Sequence, residues 1–181
     1  DPLDGTMNYA HGIPFFCVSL AFAEQGSTRL GVVYDPVRGE CFTAEKGKGA
    51  FLNGKPVQVS DAGTLIKSLL ATSFPSSKGE LKQAALQDYV HLTGLTQGVR
   101  RMGSAALDLV YVASGRLDGY WSNYLHAWDV AAGALIAAEA GARVTDRLDS
   151  PDFLQPVCSV LAANPLLHPI LLEELNCNGR K

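Results

Sequence analysis

The sequence has no long run of basic residues and no long hydrophobic run, and these absences exclude two classes of protein. Lysine and arginine total 15 against 18 acidic residues, the net charge is −3, and basic residues occur at most in adjacent pairs such as Arg100-Arg101. A nucleic-acid-binding surface needs a much larger basic patch. No apolar stretch reaches the roughly 20 residues of a membrane span, and we expect no signal peptide. We therefore expect a small-molecule partner, with no nucleic acid and no membrane.

Cysteine is also scarce. The four cysteines, Cys17, Cys41, Cys158 and Cys177, are far apart, and none belongs to a Cys-x-x-Cys pair. This spacing argues against a zinc site and is typical of reduced thiols in a cytosolic protein. Our expectation for localisation is therefore cytoplasmic.

The hydrophobic pattern changes near residue 75. Before it, short β-prone runs alternate with turns; after it, segments of helical period alternate with strands. The expected strands are 15–22, 30–34, 40–44, 57–59, 68–73, 98–102, 117–121, 143–145 and 157–162, and the expected helices are 81–92, 104–113, 127–140 and 169–175. Asn53-Gly54 predicts a type I′ hairpin turn before the strand at 57–59. Strands followed by mixed helices and strands predict an α+β fold of layered sheets and helices. We expect one domain, 1–181, with a turn and antiparallel strands in 1–75 and an α/β part in 76–181.

The first nine residues, DPLDGTMNY, carry the most suggestive polar chemistry. Asp1 and Asp4 offer two carboxylates on one turn, the ligands that hard cations such as Mg²⁺ prefer, and the Leu3 carbonyl lies between them. If a helix begins at Gly5-Thr6, its free N–H groups can bind phosphate. The same residues are equally compatible with an ordinary capped turn, because Asp-Pro and Asp-Gly are common turn dipeptides.

A third carboxylate, Asp129, follows Trp128 in the first turn of the Ala-rich helix. An acidic residue at this position stabilises the helix dipole even without a metal. If the fold brings Asp129 to Asp1 and Asp4, the three could hold two divalent ions, the arrangement used for in-line phosphoryl displacement. We interpret the scattered histidines as surface or packing residues: His11, His91, His126 and His168.

Together, DPLDGTMNY (1–9) and WDVAAG (128–133) resemble the inositol monophosphatase family of metal-dependent, lithium-sensitive phosphatases. Supporting segments occur in matching order: GVVY (31–34), KGKGAFLNG (46–54), GSAA (103–106) and EAGA (139–142). The resemblance covers essentially the whole chain. It implies the layered αβαβα sandwich of the inositol monophosphatase and sugar phosphatase type, lacking its N-terminal helical part, and it suggests a homodimer.

The resemblance also implies a ligand set for Mg²⁺. Asp1 and Asp4 would be metal ligands, with Asp1 bridging two ions and the Leu3 carbonyl on one of them. Asp129 would hold the second ion. Thr6 and Asp4 would be the catalytic residues, with Thr6 orienting the attacking water.

The substrate side follows from the same resemblance. The Gly5 and Thr6 N–H groups would hold phosphate oxygens, while Asp4 and the segment Gly103-Ser104-Ala105 would line the alcohol side. Ser122 stands where many inositol phosphatases have a glutamate that contacts ring hydroxyls. A neutral hydroxyl accepts fewer and weaker hydrogen bonds than a carboxylate, which weakens the inositol assignment more than the phosphatase assignment.

The family also carries an N-terminal helical portion with a metal-binding glutamate, which this chain lacks. We therefore expect an N-terminally incomplete phosphatase domain whose activity alone is weak or absent. The leading hypothesis is a Mg²⁺-dependent phosphomonoesterase that hydrolyses inositol 1-phosphate or a similar polyol or sugar phosphate. Histidinol phosphate, fructose bisphosphate and adenosine 3′,5′-bisphosphate are alternative substrates. A non-catalytic regulatory or interaction module on the same fold is the alternative of another class.

Overall fold

The structure, a computed structural model, describes residues 1–75, 79–155 and 157–178. Within these ranges the chain forms ten strands, five α-helices and one 3₁₀ turn at Leu65–Lys67. The strands are β1 Val18–Glu24, β2 Ser27–Asp35, β3 Glu40–Glu45, β4 Ala50–Leu52, β5 Lys55–Pro56, β6 Leu69–Thr72, β7 Gly98–Arg100, β8 Gly119–Leu125, β9 Arg143–Thr145 and β10 Cys158–Ala163. The helices are α1 Thr6–Ala10, α2 Glu80–Leu95, α3 Ala105–Ala113, α4 Ala127–Glu139 and α5 His168–Asn178.

The first sheet is an antiparallel meander in the order β1-β2-β3-β4-β5. Val33 of β2 pairs with Phe42 of β3, and both side chains are fully buried on the same face. The β4–β5 hairpin turns at Asn53-Gly54, as the sequence predicts, and the Asn53 side chain accepts a hydrogen bond from the Cys41 N–H. The sheet thus presents one face to the core.

The second sheet is mixed, in the order β7-β6-β8-β10-β9. Strand β6 pairs in parallel with both β7 and β8, whereas β10 is antiparallel to its two neighbours. Helix α2 connects β6 to β7, and helix α3 connects β7 to β8. The carboxyl ends of β6, β7 and β8 therefore lie at one edge, where ligands bind in open sheets of this kind.

Helices α3 and α4 pack between the two sheets. Glycine permits their close approach, because a Cβ on Gly133 of α4 would lie 2.8 Å from Leu109 Cβ of α3. A Cβ on Gly31 of β2 would likewise lie 2.9 Å from the Ala132 carbonyl oxygen. Helices α2 and α5 cover the other face of the second sheet through buried leucines such as Leu92 and Leu171. The predicted layered α+β architecture is confirmed.

The local predictions hold for most elements. The four expected helices correspond to α2, α3, α4 and α5, and the Ala-rich helix keeps its predicted start at Ala127. The expected strand at 57–59 is wrong: β5 ends at Pro56, and the Val59 N–H bonds to the Ala140 carbonyl at the end of α4 instead of to a strand. The polar loop residues Ser76 and Ser77 lie outside the described residues. Among the described helices, none is long and apolar enough to cross a membrane.

Candidate metal centre

The first four residues run beside the start of β1, which fixes their direction. The backbones of Asp1 and Ser19 exchange two hydrogen bonds of 2.8 Å, and Asp4 and Cys17 exchange two of 2.9 Å. The Asp1 Oδ1 atom accepts the Leu3 N–H at 2.9 Å, which closes a tight turn between the two aspartates. Both carboxylates are therefore held by backbone pairing rather than carried on a free tail.

Asp4 is inserted at the N-terminus of α3. Its Oδ2 atom accepts the Ser104 hydroxyl at 2.7 Å and the Ala106 N–H at 2.8 Å. The same Ser104 hydroxyl oxygen accepts the Leu107 N–H at 3.3 Å and caps the helix. One serine thus starts α3 and positions a predicted metal ligand 100 residues away in sequence.

Asp129 lies in the first turn of α4, the helix that directly follows β8. Its Oδ2 atom accepts the His126 N–H at 2.8 Å, so the carboxylate satisfies one of the free donors at the helix start. Trp128 does not pack into the core: its ring stacks on that of His126 with centroids 4.5 Å apart, and the residue is 57% exposed. The second carboxylate oxygen of Asp129 makes none of the hydrogen bonds found in the described part of the chain.

The fold brings the three predicted aspartates together. Asp1, Asp4 and Asp129 each contribute a ligand atom, and these atoms lie within 4.8 Å of one another. Burial raises the pKa of Asp4 above its ordinary value, the hydrogen bonds from Ser104 and Ala106 oppose this rise, and the charge of Asp129 adds to it. A cluster of like charges is costly unless a cation neutralises it. The donor set consists of oxygen atoms alone, which fits a hard divalent ion such as Mg²⁺.

The residues predicted to bind phosphate lie directly beside this cluster. Gly5 has a φ of +91°, and a Cβ there would lie 2.9 Å from the Phe15 carbonyl oxygen, so the position requires glycine. The Thr6 hydroxyl donates to the Leu3 carbonyl at 3.1 Å. That carbonyl keeps a second lone pair, so it can still serve as a metal ligand.

Asn8 joins the aspartate turn to the α3 end of the site. Its side-chain amide donates to the Phe15 and Met102 carbonyls, both at 2.8 Å. Gly103 has a φ of +94°, and a Cβ there would lie 2.8 Å from the Asn8 amide nitrogen. Asn8 belongs to the DPLDGTMNY motif, but no local sequence pattern indicates its bond to the Met102 carbonyl, 94 positions away.

Ser122 is almost fully buried in β8. Its hydroxyl lies 2.6 Å from the Ser73 hydroxyl, which in turn lies 3.1 Å from the Tyr120 hydroxyl. Sequence analysis did not single out Ser73 or Tyr120 as site residues. A substrate contact by Ser122 stays a prediction.

Asp108 is a fourth aspartate near the centre, and it was missed. It lies one turn into α3, is 1% exposed, and neither carboxylate oxygen has a hydrogen-bond partner among residues 1–75, 79–155 and 157–178. Burial, followed by the charge of Asp4, raises its pKa well above the ordinary value. Its full burial distinguishes it from the three candidate ligands, which are not fully buried.

The layered fold and the oxygen-only carboxylate cluster together define a class of αβ-layered proteins with an acidic cation site. Comparison with known proteins narrows this class. The model of the inositol monophosphatase family matches residues 1–180. The chain belongs to the inositol monophosphatase family.

Individual relatives agree with this assignment. The chain is 46% identical over 175 residues to an inositol-1-monophosphatase of Synechocystis, covering 97% of the chain and 61% of the relative. It is 47% identical over 159 residues to the Nus factor SuhB of Pseudomonas aeruginosa, covering 86% of the chain and 58% of the relative. The solved inositol monophosphatase of Anabaena (Nostoc) superposes with a TM-score of 0.90 at 44% identity, covering 98% of the chain and 70% of that structure. The chain thus spans about three fifths of the length of these two sequence relatives.

Proposed function

We propose that the protein is a Mg²⁺-dependent phosphomonoesterase that acts on inositol 1-phosphate or a similar polyol or sugar phosphate. The observation that carries this proposal is the convergence of Asp1, Asp4 and Asp129 within 4.8 Å, from positions up to 128 residues apart in sequence. Membership of the family supports the phosphatase class. Because the chain is shorter than its relatives, the activity is proposed for the polypeptide that contains it.

The chain supplies the ligands and the positioning for this reaction. Asp1, Asp4, Asp129 and the Leu3 carbonyl would hold the divalent ions. When bound, these ions lower the pKa of water and neutralise the charge of the phosphate. The Thr6 hydroxyl is tied to the Leu3 carbonyl and can orient water at the edge of the ion site. The Gly5 and Thr6 N–H groups at the start of α1 offer donors to phosphate oxygens.

The alcohol side of the substrate would meet the α3 end of the site. Gly103-Ser104-Ala105 lies there, and Ser104 is already bound to Asp4. No step in this scheme needs a covalent enzyme intermediate. In keeping with that, burial raises the pKa of the Cys17 thiol to about 12, which keeps this neighbour of Ser104 protonated and unreactive.

Phosphate release tests the proposal directly. Inositol 1-phosphate, fructose 1,6-bisphosphate, histidinol phosphate and adenosine 3′,5′-bisphosphate would be supplied with Mg²⁺, to this chain and to any longer polypeptide that its gene encodes. We expect hydrolysis of at least one ester, lost in Asp129→Asn and retained in Asp61→Asn, which makes the same change at an exposed carboxylate. If the longest polypeptide hydrolyses none of these esters, the proposal fails.

One observation favours a second function of another class. Several relatives bear the name Nus factor SuhB, at 41–47% identity. A regulatory or interaction role on the same fold is therefore the second candidate. A partner captured equally by the native chain and by the Asp1→Asn, Asp4→Asn double variant would support it, because such binding does not need the carboxylate cluster.

A further inference from the structure

Three hydroxyl groups form a cluster where β6 ends, beside the first half of β8. The Ser73 hydroxyl contacts those of both Ser122 and Tyr120, at 2.6 and 3.1 Å. Tyr120 is fully buried, and Ser73 directly follows β6, whose Ala71 pairs with Arg100 of β7. The chain after β7 leads to Ser104, which binds Asp4, so the hydroxyl cluster lies at the same edge of the second sheet as the candidate metal centre.

The hydroxyl cluster carries no charge at neutral pH. Burial raises the pKa of Tyr120 well above 10, and the serine hydroxyls do not ionise. A carboxylate at this end would attract the hydroxyls of a neutral polyol and would repel an anion. Serine hydroxyls accept fewer hydrogen bonds and tolerate an anion by donating to it.

A cation lies next to the hydroxyl cluster. Arg101 follows β7, and its Cζ atom lies 5.4 Å from the ring centroid of Phe74, the residue after Ser73. Phe74 is in turn held edge-to-face by Tyr89 of α2, with centroids 5.6 Å apart and an interplanar angle of 84°. Stacking of this kind orients a guanidinium while leaving its edge N–H donors accessible.

The charge of Arg101 is not neutralised by the described part of the protein. The seven ion pairs found there involve other cations, and the Arg101 side chain is exposed. Its neighbour Arg100 is also exposed but turns back along β7, since its Nη1 atom lies 2.9 Å from the position of a Cβ on Gly98. The two arginines thus form a matched pair, of which one stacks beside the hydroxyl cluster.

These observations rest on, and extend, the phosphatase function proposed above. We propose that Arg101 and the Ser73–Ser122 pair form a distal anion subsite, which favours phosphate monoesters that carry a second anionic group over neutral polyol monophosphates. The ester phosphate lies at the three aspartates, and the second anion meets Arg101. A guanidinium binds phosphate and carboxylate in the same two-pronged manner, so either group satisfies the subsite.

Two matched substrate pairs test the proposal and separate the two anions. Fructose 1,6-bisphosphate against fructose 1-phosphate tests a second phosphate, and 3-phosphoglycerate against glycerol 1-phosphate tests a carboxylate. The measured quantity is the ratio of kcat/KM within each pair, with Mg²⁺ at fixed ionic strength. We expect at least one ratio to exceed one and to fall ten- to a hundredfold in Arg101→Gln, the range for losing a hydrogen bond to a charged group. Arg100→Gln, the matched control, leaves the ratios unchanged.

The outcomes distinguish this proposal from the one on which it rests. If the esters are hydrolysed but the kcat/KM ratios of Arg101→Gln equal those of Arg100→Gln, the proposal of an anion subsite is wrong and the phosphatase proposal stands. If no ester is hydrolysed, the phosphatase proposal fails, and calorimetric binding of fructose 1,6-bisphosphate and fructose 1-phosphate then tests the subsite alone. Tighter binding of the bisphosphate that is lost only in Arg101→Gln supports the subsite, and equal affinities overturn it.

Discussion

Replacing Asp129 by asparagine should stabilise the metal-free protein while removing its response to Mg²⁺. The three carboxylates lie within 4.8 Å of one another, and at that separation two unit charges repel by about 0.9 kcal/mol in water and by about 3.5 kcal/mol at an effective dielectric constant of 20. Asp129 is partly exposed, so the relief for each of its two pairs, with Asp1 and with Asp4, lies toward the lower figure, or about 2 kcal/mol in all. Asparagine keeps an oxygen for the His126 N–H, and the lost helix-dipole interaction costs about 0.3–1 kcal/mol.

The net gain in the free energy of unfolding is therefore about 1 kcal/mol, or about 2–4 °C in Tm for a chain of this size. The assay is thermal unfolding in a chelator and again across a Mg²⁺ titration. In the native protein, bound Mg²⁺ raises Tm in proportion to RT ln(1 + [Mg²⁺]/Kd), and the variant loses most of this rise. Asp61→Asn serves as the control and should change neither Tm nor its response to Mg²⁺.

Two results would refute this reasoning. If Asp129→Asn lowers Tm in chelator, the carboxylate acts chiefly as a helix cap and not as part of a repulsive cluster. If its Tm still rises with Mg²⁺ as in the native protein, Asp129 is not a ligand.

Three further predictions concern positions around the site and the core. Gly133→Ala places a Cβ 2.8 Å from Leu109 Cβ, so α3 and α4 must separate. We expect the free energy of unfolding, measured by chemical denaturation, to fall by about 1–3 kcal/mol, and Mg²⁺ to bind more weakly. Unchanged stability would contradict this packing. Burial lowers the pKa of His168 to about 4, so the folded state binds fewer protons than the unfolded state below pH 6.5. The free energy of unfolding should therefore fall by about 2–3 kcal/mol between pH 6.5 and pH 4, and His168→Gln should flatten this pH profile. Burial raises the pKa of Asp108, so the folded state binds more protons than the unfolded state. Stability should therefore fall as pH rises from about 4 through the pKa of the folded state, and Asp108→Asn should remove this loss. An unchanged pH profile in the variant would show that the pKa of Asp108 is the same in the folded and unfolded states.

Local sequence patterns predicted most of the fold because they act within one element. The Ala-rich helix and the Asn53-Gly54 hairpin depend on residues within a few positions of each other, and both were placed correctly. The strand expected at 57–59 failed because a tertiary bond from Val59 to the end of α4 replaced pairing within the sheet. Alternating valines show β propensity, but they do not show which backbone lies opposite.

The candidate site divides in the same way. Asp1, Asp4 and Asp129 could be proposed from residue type and family resemblance, and the fold brings them together. The support of the site could not be read from the sequence, since the Ser104 bond to Asp4 spans 100 positions and the burial of Asp108 has no local signal. Residue chemistry suggests ligands, whereas their orientation depends on distant contacts.

The most direct test of the account is to locate a divalent ion. Crystals of the protein containing Mn²⁺, which suits the same carboxylate and water ligands as Mg²⁺, would be examined by anomalous diffraction. We expect at least one anomalous peak about 2.1 Å from carboxylate oxygens of Asp1, Asp4 or Asp129, and the peak beside Asp129 should be absent from crystals of Asp129→Asn. A Mn²⁺-saturated crystal with no peak among the three aspartates would contradict the central claim.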